Sequence, residues 1–475
     1  MTAPQPYPEY RDSGIAWLGD IPAHWKRAHG GAVLQPKMVS NRGMVETTVL
    51  SLSYGRIVIK PPEKLHGLVP ESFETYQVVD PGDIIVRPTD LQNDWNTIRV
   101  ALAQDRGIIT SAYLCFRTRE PLTAEFAHLL LLGYDLKKVF YGMGSGLRQN
   151  LDWSDFKRLP ILLPPPDEQQ AIVRFVRDLD KKVNRFIRNR RRLIEVLNEQ
   201  KQAIINRAVT RGLDPNAPLK PSGIDWLGDI PEHWEVVKLK RVARINPSRS
   251  EAFELRDSND PVVFLPMERV SVDGQVDQSE RRSVREVWQG FTYFRRGDVV
   301  VAKITPCFEN GKGACLTGLD TEIGFGTTEF IVLRPSEAVS AEFLYQLTML
   351  AEFRLLGVES MTGAAGQQRV SPDFVANFGV PVPPKHEQDR IVAYVEQKAA
   401  KFRALIDRAR HEIDLIREYR TRLIADVVTG KVDVRGLALA EPPLDDEQID
   451  EGIDDEEMLG DDEPELVEEA ADADD

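Results

Sequence analysis

Two polar segments each follow a short apolar run that begins with Gly-Asp, and their side chains are of types that bind DNA. Residues 87–94 (RPTDLQND) follow the first run, and residues 302–312 (AKITPCFENGK) belong to the second. In the major groove, Arg and Lys match guanine, Asn and Gln match adenine, and Glu matches cytosine. Any single side chain here could instead bind a phosphate or belong to a turn. The candidate DNA-binding residues are Arg56, Arg87, Asn93, Lys303, Asn310 and Lys312, followed by Gln149, Asn150, Gln367 and Gln368.

The patterns of catalytic centres are missing from the sequence. There is no GxxxxGK[ST] loop for ATP. No Pro-Pro pair is followed by the aromatic residue that an adenine methyltransferase uses to hold a flipped base. The spacing of Asp298, Glu309 and Lys312 departs from a D…ExK nuclease centre, because two residues separate Glu from Lys. The histidines lack metal-ligand spacing, and the three cysteines form no CxxC pair, which predicts reduced thiols and no metal site. We therefore expect a chain that is not an enzyme.

Charge is distributed unevenly along the 475 residues. The chain carries a net charge of −15, but residues 436–475 contain 19 Asp and Glu and no Lys or Arg, so residues 1–435 carry +4. This predicts a mildly basic body and an acidic disordered tail. No run of 18 apolar residues is present, and the N-terminal residues are polar and rich in proline. We expect a cytoplasmic protein with no membrane contact.

The sequence contains an internal duplication. The segment DSGIAWLGDIPAHW (12–25) returns as PSGIDWLGDIPEHW (221–234), at an offset of 209. PGDIIV (81–86) returns as RGDVVV (296–301) at 215, and Glu168-Gln169 returns as Glu387-Gln388 at 219. An offset that grows in small steps indicates a duplicated domain with short insertions in its second copy. Two homologous halves suit a two-part DNA target, because the symmetry of a site mirrors that of its protein.

A long helix follows the proline-rich segment in each copy. The first is predicted from Asp167 to Arg211 and the second from Lys385 to Thr429. Apolar residues alternate at spacings of 3 and 4, as in a coiled coil. Both helices show a 4-4 step, at Phe186-Arg190-Ile194 and at Leu405-Ala409-Ile413, which predicts a shared stutter. We expect the helices to pack antiparallel as a spacer of roughly 65 Å between the two globular parts.

The predicted fold class is α+β, with two homologous β-rich target-recognition domains separated by two long antiparallel coiled-coil helices and related by a pseudo-two-fold axis. Strands are expected at 48–54, 83–86, 108–117, 262–265, 298–302 and 330–333, with helices at 124–139 and 341–356. The predicted order is a leading segment (1–25), recognition domain 1 (26–160), helix 1 (161–214), a linker with the repeated motif (215–234), recognition domain 2 (235–379), helix 2 (380–435) and the tail (436–475).

Together these features resemble the specificity subunits of type I restriction-modification systems. The resemblance rests on the WLGDIPxHW segments, the PGDIIV strand, the loop GLRQN (146–150) and the PPPxEQ helix start, and it covers most of residues 12–433. The second copy has GAAGQQR (363–369) in its loop, which keeps Gln but lacks the Gln-Asn pair. The acidic tail lies outside the family pattern.

The resemblance implies the rest of the function. The chain would read a bipartite, gapped site on double-stranded DNA, with two different half-sites. It would direct two methyltransferase subunits that methylate adenine N6 with S-adenosylmethionine, and restriction subunits that use ATP and Mg²⁺, as a phage defence. No cofactor is expected on this chain itself.

Two other classes of function remain open at this stage. One is a nuclease or methyltransferase with a diverged centre, which would show metal- or cofactor-dependent chemistry as a purified chain. The other is a coiled-coil scaffold or adaptor with two protein-binding heads, which would show no DNA preference in an assembled complex.

Overall fold

The computed structural model describes residues 5–61, 72–144, 149–363 and 367–437. The predicted acidic tail lies outside these residues, apart from its first two positions. Contacts divide the chain into a first unit, made of residues up to 189 and from 412 onward, and a second unit, residues 190–411. Both divisions fall inside long helices, so the domain boundaries proposed from sequence stay predictions.

Short strands dominate the first copy of the repeat. Its helices are α1 (Gly30–Val33), α2 (Ala124–Leu136), α3 (Trp153–Arg158) and α4 (Pro166–Arg211). Its strands are β1 (Tyr10–Asp12), β2 (Asp20–Pro22), β3 (Lys26–His29), β4 (Leu34–Pro36), β5 (Leu50–Ser53), β6 (Arg56–Ile59), β7 (Gln77–Val79), β8 (Ile84–Val86), β9 (Val100–Leu102), β10 (Gly107–Ile109), β11 (Leu114–Thr118) and β12 (Pro160–Leu163).

The second copy repeats the order of the strands, but its shorter helices are placed differently. Its helices are α5 (Val284–Val287), α6 (Ala341–Thr348), α7 (Ala351–Glu359), α8 (Pro372–Asn377) and α9 (Lys385–Val428). Its strands are β13 (Leu219–Pro221), β14 (Asp229–Pro231), β15 (Glu235–Lys238), β16 (Ala243–Ile245), β17 (Pro261–Leu265), β18 (Arg281–Ser283), β19 (Thr292–Arg295), β20 (Val299–Ala302), β21 (Gly313–Cys315), β22 (Ile323–Gly326), β23 (Phe330–Pro335) and β24 (Gly379–Val382).

Strand pairing is repeated between the copies. The main antiparallel sheet has the order β4-β11-β8-β9 in the first and β16-β23-β20-β21 in the second. A second sheet, β18-β17-β22-β19, matches the β5-β6 and β7-β10 pairs, which a parallel bridge between Val49 and Ile108 connects. Strand β3 pairs with β12 just as β15 pairs with β24. The predicted α+β class with two homologous β-rich domains is confirmed.

Alternating side chains bury both faces of each main sheet. In the first copy, Ile84 and Val86 belong to the cluster that contains Phe126 of α2, whereas Ile85 belongs to a cluster with Leu50 and Leu52 of β5. Val299 and Val301 of β20 likewise join the cluster of α6, whereas Val300 joins that of Leu265. The central strands β8 and β20 are therefore apolar at every position, as expected for strands that are covered on both faces of the sheet.

Three predicted elements differ in extent. The expected strand 108–117 is two strands, because a turn closes between Thr110 and Tyr113. The expected helix 341–356 is interrupted at Leu350, whose extended backbone (ψ 135°) precedes α7. The expected helix 124–139 ends at Leu136, and Lys138 adopts a left-handed conformation (φ 60°). None of these breaks coincides with a Gly or Pro.

The long helices pair in opposite directions within each unit. In the first unit, Ile172 and Val176 near the start of α4 share a buried cluster with Ile424 near the end of α9, and Arg420 Nε donates to Asp180 Oδ1 at 2.7 Å. In the second unit, residues near the end of α4 share a cluster with Ile391 near the start of α9. The start of α4 thus contacts the end of α9, and the end of α4 contacts the start of α9. The prediction that the two helices are antiparallel is therefore confirmed.

The predicted stutter in these helices is wrong. Ile406 is 5% exposed whereas Leu405 is 50% exposed, so burial in α9 runs through Ile406, Ala409 and Ile413 at regular spacings of 3 and 4. In α4, Ile187 is buried rather than the neighbouring Phe186, which is half-buried. Two adjacent apolar residues were available at each place, and packing buried the one that the predicted 4-4 step did not use.

A carboxylate, buried in the first copy and half-buried in the second, connects the repeated motif to the start of each long helix. Glu168 is 2% exposed and accepts hydrogen bonds from Trp25 Nε1 (3.0 Å) and Tyr7 Oη (2.6 Å), with His24 Nε2 at 2.8 Å. In the second copy, Glu387 accepts from Trp234 Nε1 at 2.9 Å, with an imidazole nitrogen at 2.6 Å. Trp25 and Trp234 therefore anchor the repeated motif to the start of each long helix.

The glutamine that follows each of these glutamates is also buried. Gln169 Nε2 donates to the carbonyls of Pro121 and Pro164, and its Oε1 accepts from Thr123 N. Gln388 makes the same three kinds of contact in the second copy, to Ala338, Pro383 and Ser340. The duplicated Glu-Gln pair thus connects the helix start to the leading segment and to the loop before α2 or α6.

Trp25→Phe should destabilise the first unit. It removes the indole donor from the Glu168 carboxylate, and an incompletely satisfied buried polar group costs about 1–3 kcal/mol. Trp234→Phe is the matched change in the second copy, and Trp17→Phe is a control at a tryptophan that is 41% exposed. Urea unfolding followed by circular dichroism should give lower midpoints for the first two variants than for the control. Equal midpoints for all three would contradict this role.

Candidate nucleic-acid interface

The Gly-Asp pair in each copy fixes the start of a central strand. Asp83 and Asp298 are fully buried. Arg117 Nε donates to Asp83 Oδ1 at 2.8 Å, and Arg334 donates to both carboxylate oxygens of Asp298 at 2.7 and 2.8 Å. The preceding glycines have φ of 88° and 86°, a region that favours glycine. The motif is therefore structural, and it determines where the chain leaves the sheet.

Each strand leads into a loop that is hydrogen-bonded to a distant segment. Leu151 N donates to Pro88 O at 2.9 Å, and Val370 N donates to Lys303 O at 2.9 Å. These pairs occupy equivalent positions, because Lys303 follows Pro88 by 215 residues and Val370 follows Leu151 by 219. We define the first recognition surface as residues 87–99 with 149–151, and the second as residues 302–312 with 367–370.

The two predicted groups of side chains in each copy therefore lie together. Asp90 N donates to Asn150 Oδ1 at 3.1 Å in the first surface, and Thr305 N donates to Gln368 O at 3.0 Å in the second. The glutamine loops that the sequence aligned only roughly thus occupy equivalent places. Residues 145–148 and 364–366 of these loops lie outside the described residues.

Arg56 joins the first surface from another element. It opens β6 just after the Tyr54-Gly55 turn, and its side chain is exposed. A Cβ added at Gly55 would lie 2.6 Å from Ile98 Cγ2, so this hairpin turn packs directly on the loop of the first surface.

The candidate side chains differ in how far they are free to bind. Arg87 is half-buried, and its Nη1 lies 3.6 Å from Asp94 Oδ2. Asn93 is exposed and donates to Asp90 Oδ1 at 2.8 Å, and Asn150 is exposed but accepts from Asp90 N. The remaining exposed candidates are Gln149, Asn310 and Gln367, and the remaining half-buried ones are Lys303, Lys312 and Gln368.

A fully buried arginine organises the first loop. Arg99 Nη1 donates to Thr89 O at 2.5 Å, while Nη2 donates to the carbonyls of Asp94 (2.7 Å) and Asp90 (3.2 Å). Its Nε contacts Tyr141 Oη at 3.3 Å. A buried guanidinium is stable only when its donors are satisfied, and here the loop carbonyls satisfy them. Arg99 is not among the residues predicted from the sequence, because an arginine at the start of a strand carries no pattern that distinguishes it.

Two carboxylates surround this arginine. Burial would raise the pKa of Asp94, but hydrogen bonds from Thr97 and the charges of Arg99 and Arg87 hold it below its usual value. Asp135 of α2 accepts from Arg99 N at 2.7 Å, and burial raises its pKa to about 6. Its second oxygen, Oδ1, is buried with no hydrogen-bond partner among the described residues.

A different interior supports the second loop. Phe308 is 1% exposed, and its ring lies 5.7 Å from that of Phe353. Arg369 donates to both carboxylate oxygens of Glu329, at 2.9 and 3.0 Å, and this bond, with the charge of Lys303, lowers the pKa of Glu329. Equivalent loops on equivalent strands are thus held in shape by an arginine in one copy and by a phenylalanine in the other.

Metal sites and membrane helices are not found within the described residues. No group of three or more His, Cys, Asp or Glu there could hold a metal ion. No described helix is long and apolar enough to cross a bilayer.

The comparisons with known proteins agree with this duplicated architecture. Residues 55–196 and 231–413 match the family described as the type I restriction modification DNA specificity domain. The match covers more than half of the chain and includes both copies of the repeat. The chain belongs to this family.

Individual relatives align over different parts of the chain. The EcoAI specificity subunit of Escherichia coli is 40% identical over 167 residues, which are 34% of this chain and 28% of that subunit. This chain therefore spans little more than a quarter of that relative. The MjaVIII specificity subunit of Methanocaldococcus jannaschii is 24% identical over 75% of this chain and 82% of its own length.

One solved structure shares the fold. It comes from work on complex assembly and conformational transition of the type I R-M system. It is 17% identical with a TM-score of 0.58, and the alignment covers 86% of this chain and 98% of that one. This likeness supports the fold alone.

Asp135→Asn should change the dependence of stability on pH. The pKa of Asp135 is about 6 in the folded chain and near 3.8 when unfolded, so the folded state binds more protons between these values and wild-type stability falls as pH rises through them. The side-chain carbonyl of asparagine can still accept the hydrogen bond from Arg99 N, but the side chain carries no charge. Relative to wild type, the variant should gain about 1–3 kcal/mol between pH 4 and pH 7. Denaturant titrations across this range measure the difference, and parallel stability profiles would contradict it.

Proposed function

We propose that this chain is the DNA-specificity subunit of a type I restriction-modification complex. Each recognition surface reads one half of a bipartite site on double-stranded DNA, and a gap of unread base pairs separates the halves. The observation that carries the proposal is that both copies share one backbone arrangement but differ in side chains. In each copy, a central strand leads into a loop that is hydrogen-bonded to a glutamine-containing segment. This arrangement presents two different sets of polar groups on the same framework.

The chain acts without a catalytic centre of its own. Two methyltransferase subunits with S-adenosylmethionine modify adenine N6, and restriction subunits with ATP and Mg²⁺ cleave unmodified DNA, in the cytoplasm. Membership of the specificity family and the lack of a nucleotide-binding or methyltransferase motif support this division of labour.

The exposed amides and basic groups supply the reading chemistry. Asn93 and Gln149 in the first surface, and Asn310 and Gln367 in the second, suit the paired donor and acceptor of adenine, whereas Arg56 suits guanine. The half-buried Arg87, Lys303, Lys312 and Gln368 contact DNA at the base of each loop, and Asn150 contacts it from beside Asp90. Because the sets differ, the two half-sites differ in sequence.

Methylation sequencing tests the proposal directly. DNA from cells that carry this chain with its neighbouring methyltransferase subunit is compared by single-molecule sequencing with DNA from cells that lack this chain. A gapped, asymmetric motif methylated at adenine should appear only when the chain is present. An unchanged methylation pattern with an active methyltransferase subunit would favour the scaffold function.

Replacing one recognition domain should change one half-site only. If residues 26–150 are exchanged for those of another family member, the methylated motif should keep its second half and acquire a new first half. The reciprocal exchange of residues 235–370 is the control and should change the other half. A simultaneous change of both halves in either chimera would contradict two independent surfaces.

Asn93→Ala and Asn310→Ala form a matched pair of side-chain tests. Each removes one exposed amide without altering a backbone hydrogen bond, and each should relax one position of its own half-site by about 1–3 kcal/mol, that is, by roughly 5- to 150-fold. Competition binding by the assembled methyltransferase with single-base variants of the site measures this. Loss of affinity that is uniform over all variants would instead identify a phosphate contact.

A further inference from the structure

One aromatic side chain of the first recognition surface is both exposed and held rigidly. The Trp95 side chain is 52% exposed, although it belongs to a loop whose neighbours are polar. Its ring stacks on Tyr141 with the centroids 4.5 Å apart and the planes at 26°. A large apolar ring fixed at the surface is unfavourable unless a partner covers it.

Four contacts hold Tyr141 and the Trp95 backbone, and they thereby fix the position of this ring. Tyr141 is 7% exposed, and its hydroxyl donates to Asp94 O at 2.8 Å while receiving Arg99 Nε. Lys138 donates to Trp95 O, and its ammonium lies 4.7 Å from the centroid of the Tyr141 ring. The support for Trp95 is therefore the same buried network that shapes the loop, so the ring position is set before any ligand arrives.

The polar group of this side chain is already occupied. Trp95 Nε1 donates to Gln92 O at 3.2 Å, and one face of the indole covers Tyr141. What remains for a ligand is the opposite face and the carbon edge, both apolar. On base edges in the major groove, the apolar feature is the 5-methyl group of thymine.

We propose that Trp95 is a specificity-determining residue whose open indole face packs on the 5-methyl group of a thymine in the first half-site. This rests on the proposed function, because it assigns a base contact to the first recognition surface. Asn93 and Arg56 contribute the polar contacts of this surface, and Trp95 contributes the contact with thymine. The second surface has no tryptophan within residues 302–312 and 367–370, so this contact belongs to one half-site.

Replacement of thymine by deoxyuridine tests the contact, because it removes the methyl group alone. The assembled methyltransferase is titrated with duplexes of its methylated motif in which each thymine of the first half-site, on either strand, is replaced singly. Wild type should lose about fourfold in affinity at one position, the factor expected for one buried methyl group. At that position, the Trp95→Ala variant should bind the thymine duplex and the deoxyuridine duplex with equal affinity. It should keep its selectivity in the second half-site.

Two further variants control for folding and for loss of an aromatic ring. Trp95→Phe keeps an apolar ring over Tyr141 and should retain at least twofold discrimination. Trp17→Ala removes an exposed tryptophan that contacts Tyr134 edge-on at 4.9 Å, outside the recognition surface, and should retain the full fourfold.

Distinct outcomes separate this inference from the function on which it rests. If wild type prefers its motif but no thymine in the first half-site responds, or if Trp95→Ala keeps the response at the same position, the thymine contact is overturned and the function stands. If wild type binds its motif no better than a scrambled duplex, the proposed function itself fails.

Discussion

A carboxylate at the start of each long helix, buried in the first copy and half-buried in the second, is the constraint on which the rest of the fold depends. Glu168 lies in the first turn of α4, where the helix dipole favours a negative charge. Its desolvation is compensated by the Trp25 indole, the Tyr7 hydroxyl and the imidazole of His24. In the second copy, burial would raise the pKa of Glu387, yet hydrogen bonds from Trp234 and His233 keep it below its ordinary value. The leading segment cannot separate from the long helix without removing these partners from the carboxylate.

The first unit also joins distant parts of the chain through this region. Asp433 N donates to Gln5 O at 2.8 Å, and Tyr10 Oη donates to Lys431 O at 3.3 Å. The segment that follows α9 therefore packs beside the leading segment, close to Glu168, which lies 4.0 Å from Arg435 Nε. In the second copy, β13 (Leu219–Pro221) pairs with Asp229–Pro231 just as β1 pairs with β2 in the first. The contacts with the segment that follows α9 are therefore an addition to the paired strands of the first copy.

Much of this organisation could be predicted from the sequence because it depends on repetition and periodicity. The duplicated motifs located equivalent structural positions, and the apolar spacing predicted two antiparallel helices. The predictions failed where the sequence alone could not decide which of two neighbouring residues is buried or where a helix is interrupted. Leu405 and Ile406 are both apolar, and only packing decides which is buried; Leu350 interrupts a helix although leucine favours helices. Arg99 was missed because its role depends on carbonyls contributed by residues 89–94, and backbone groups leave no trace in the sequence.

Under the proposed function, buried loop interiors reconcile a fixed framework with a variable DNA target. In the first surface, the guanidinium of Arg99 holds three carbonyl groups and thereby defines the loop from within, so outward side chains such as Asn93 can vary without changing its path. In the second, Phe308 and the Arg369–Glu329 pair perform this task. The loop interior contributes shape and the exterior contributes hydrogen-bonding groups. If each surface reads one half-site as proposed, a domain divided in this way acquires a new half-site by surface substitution, whereas its strands, buried carboxylates and helix starts remain as the duplication left them.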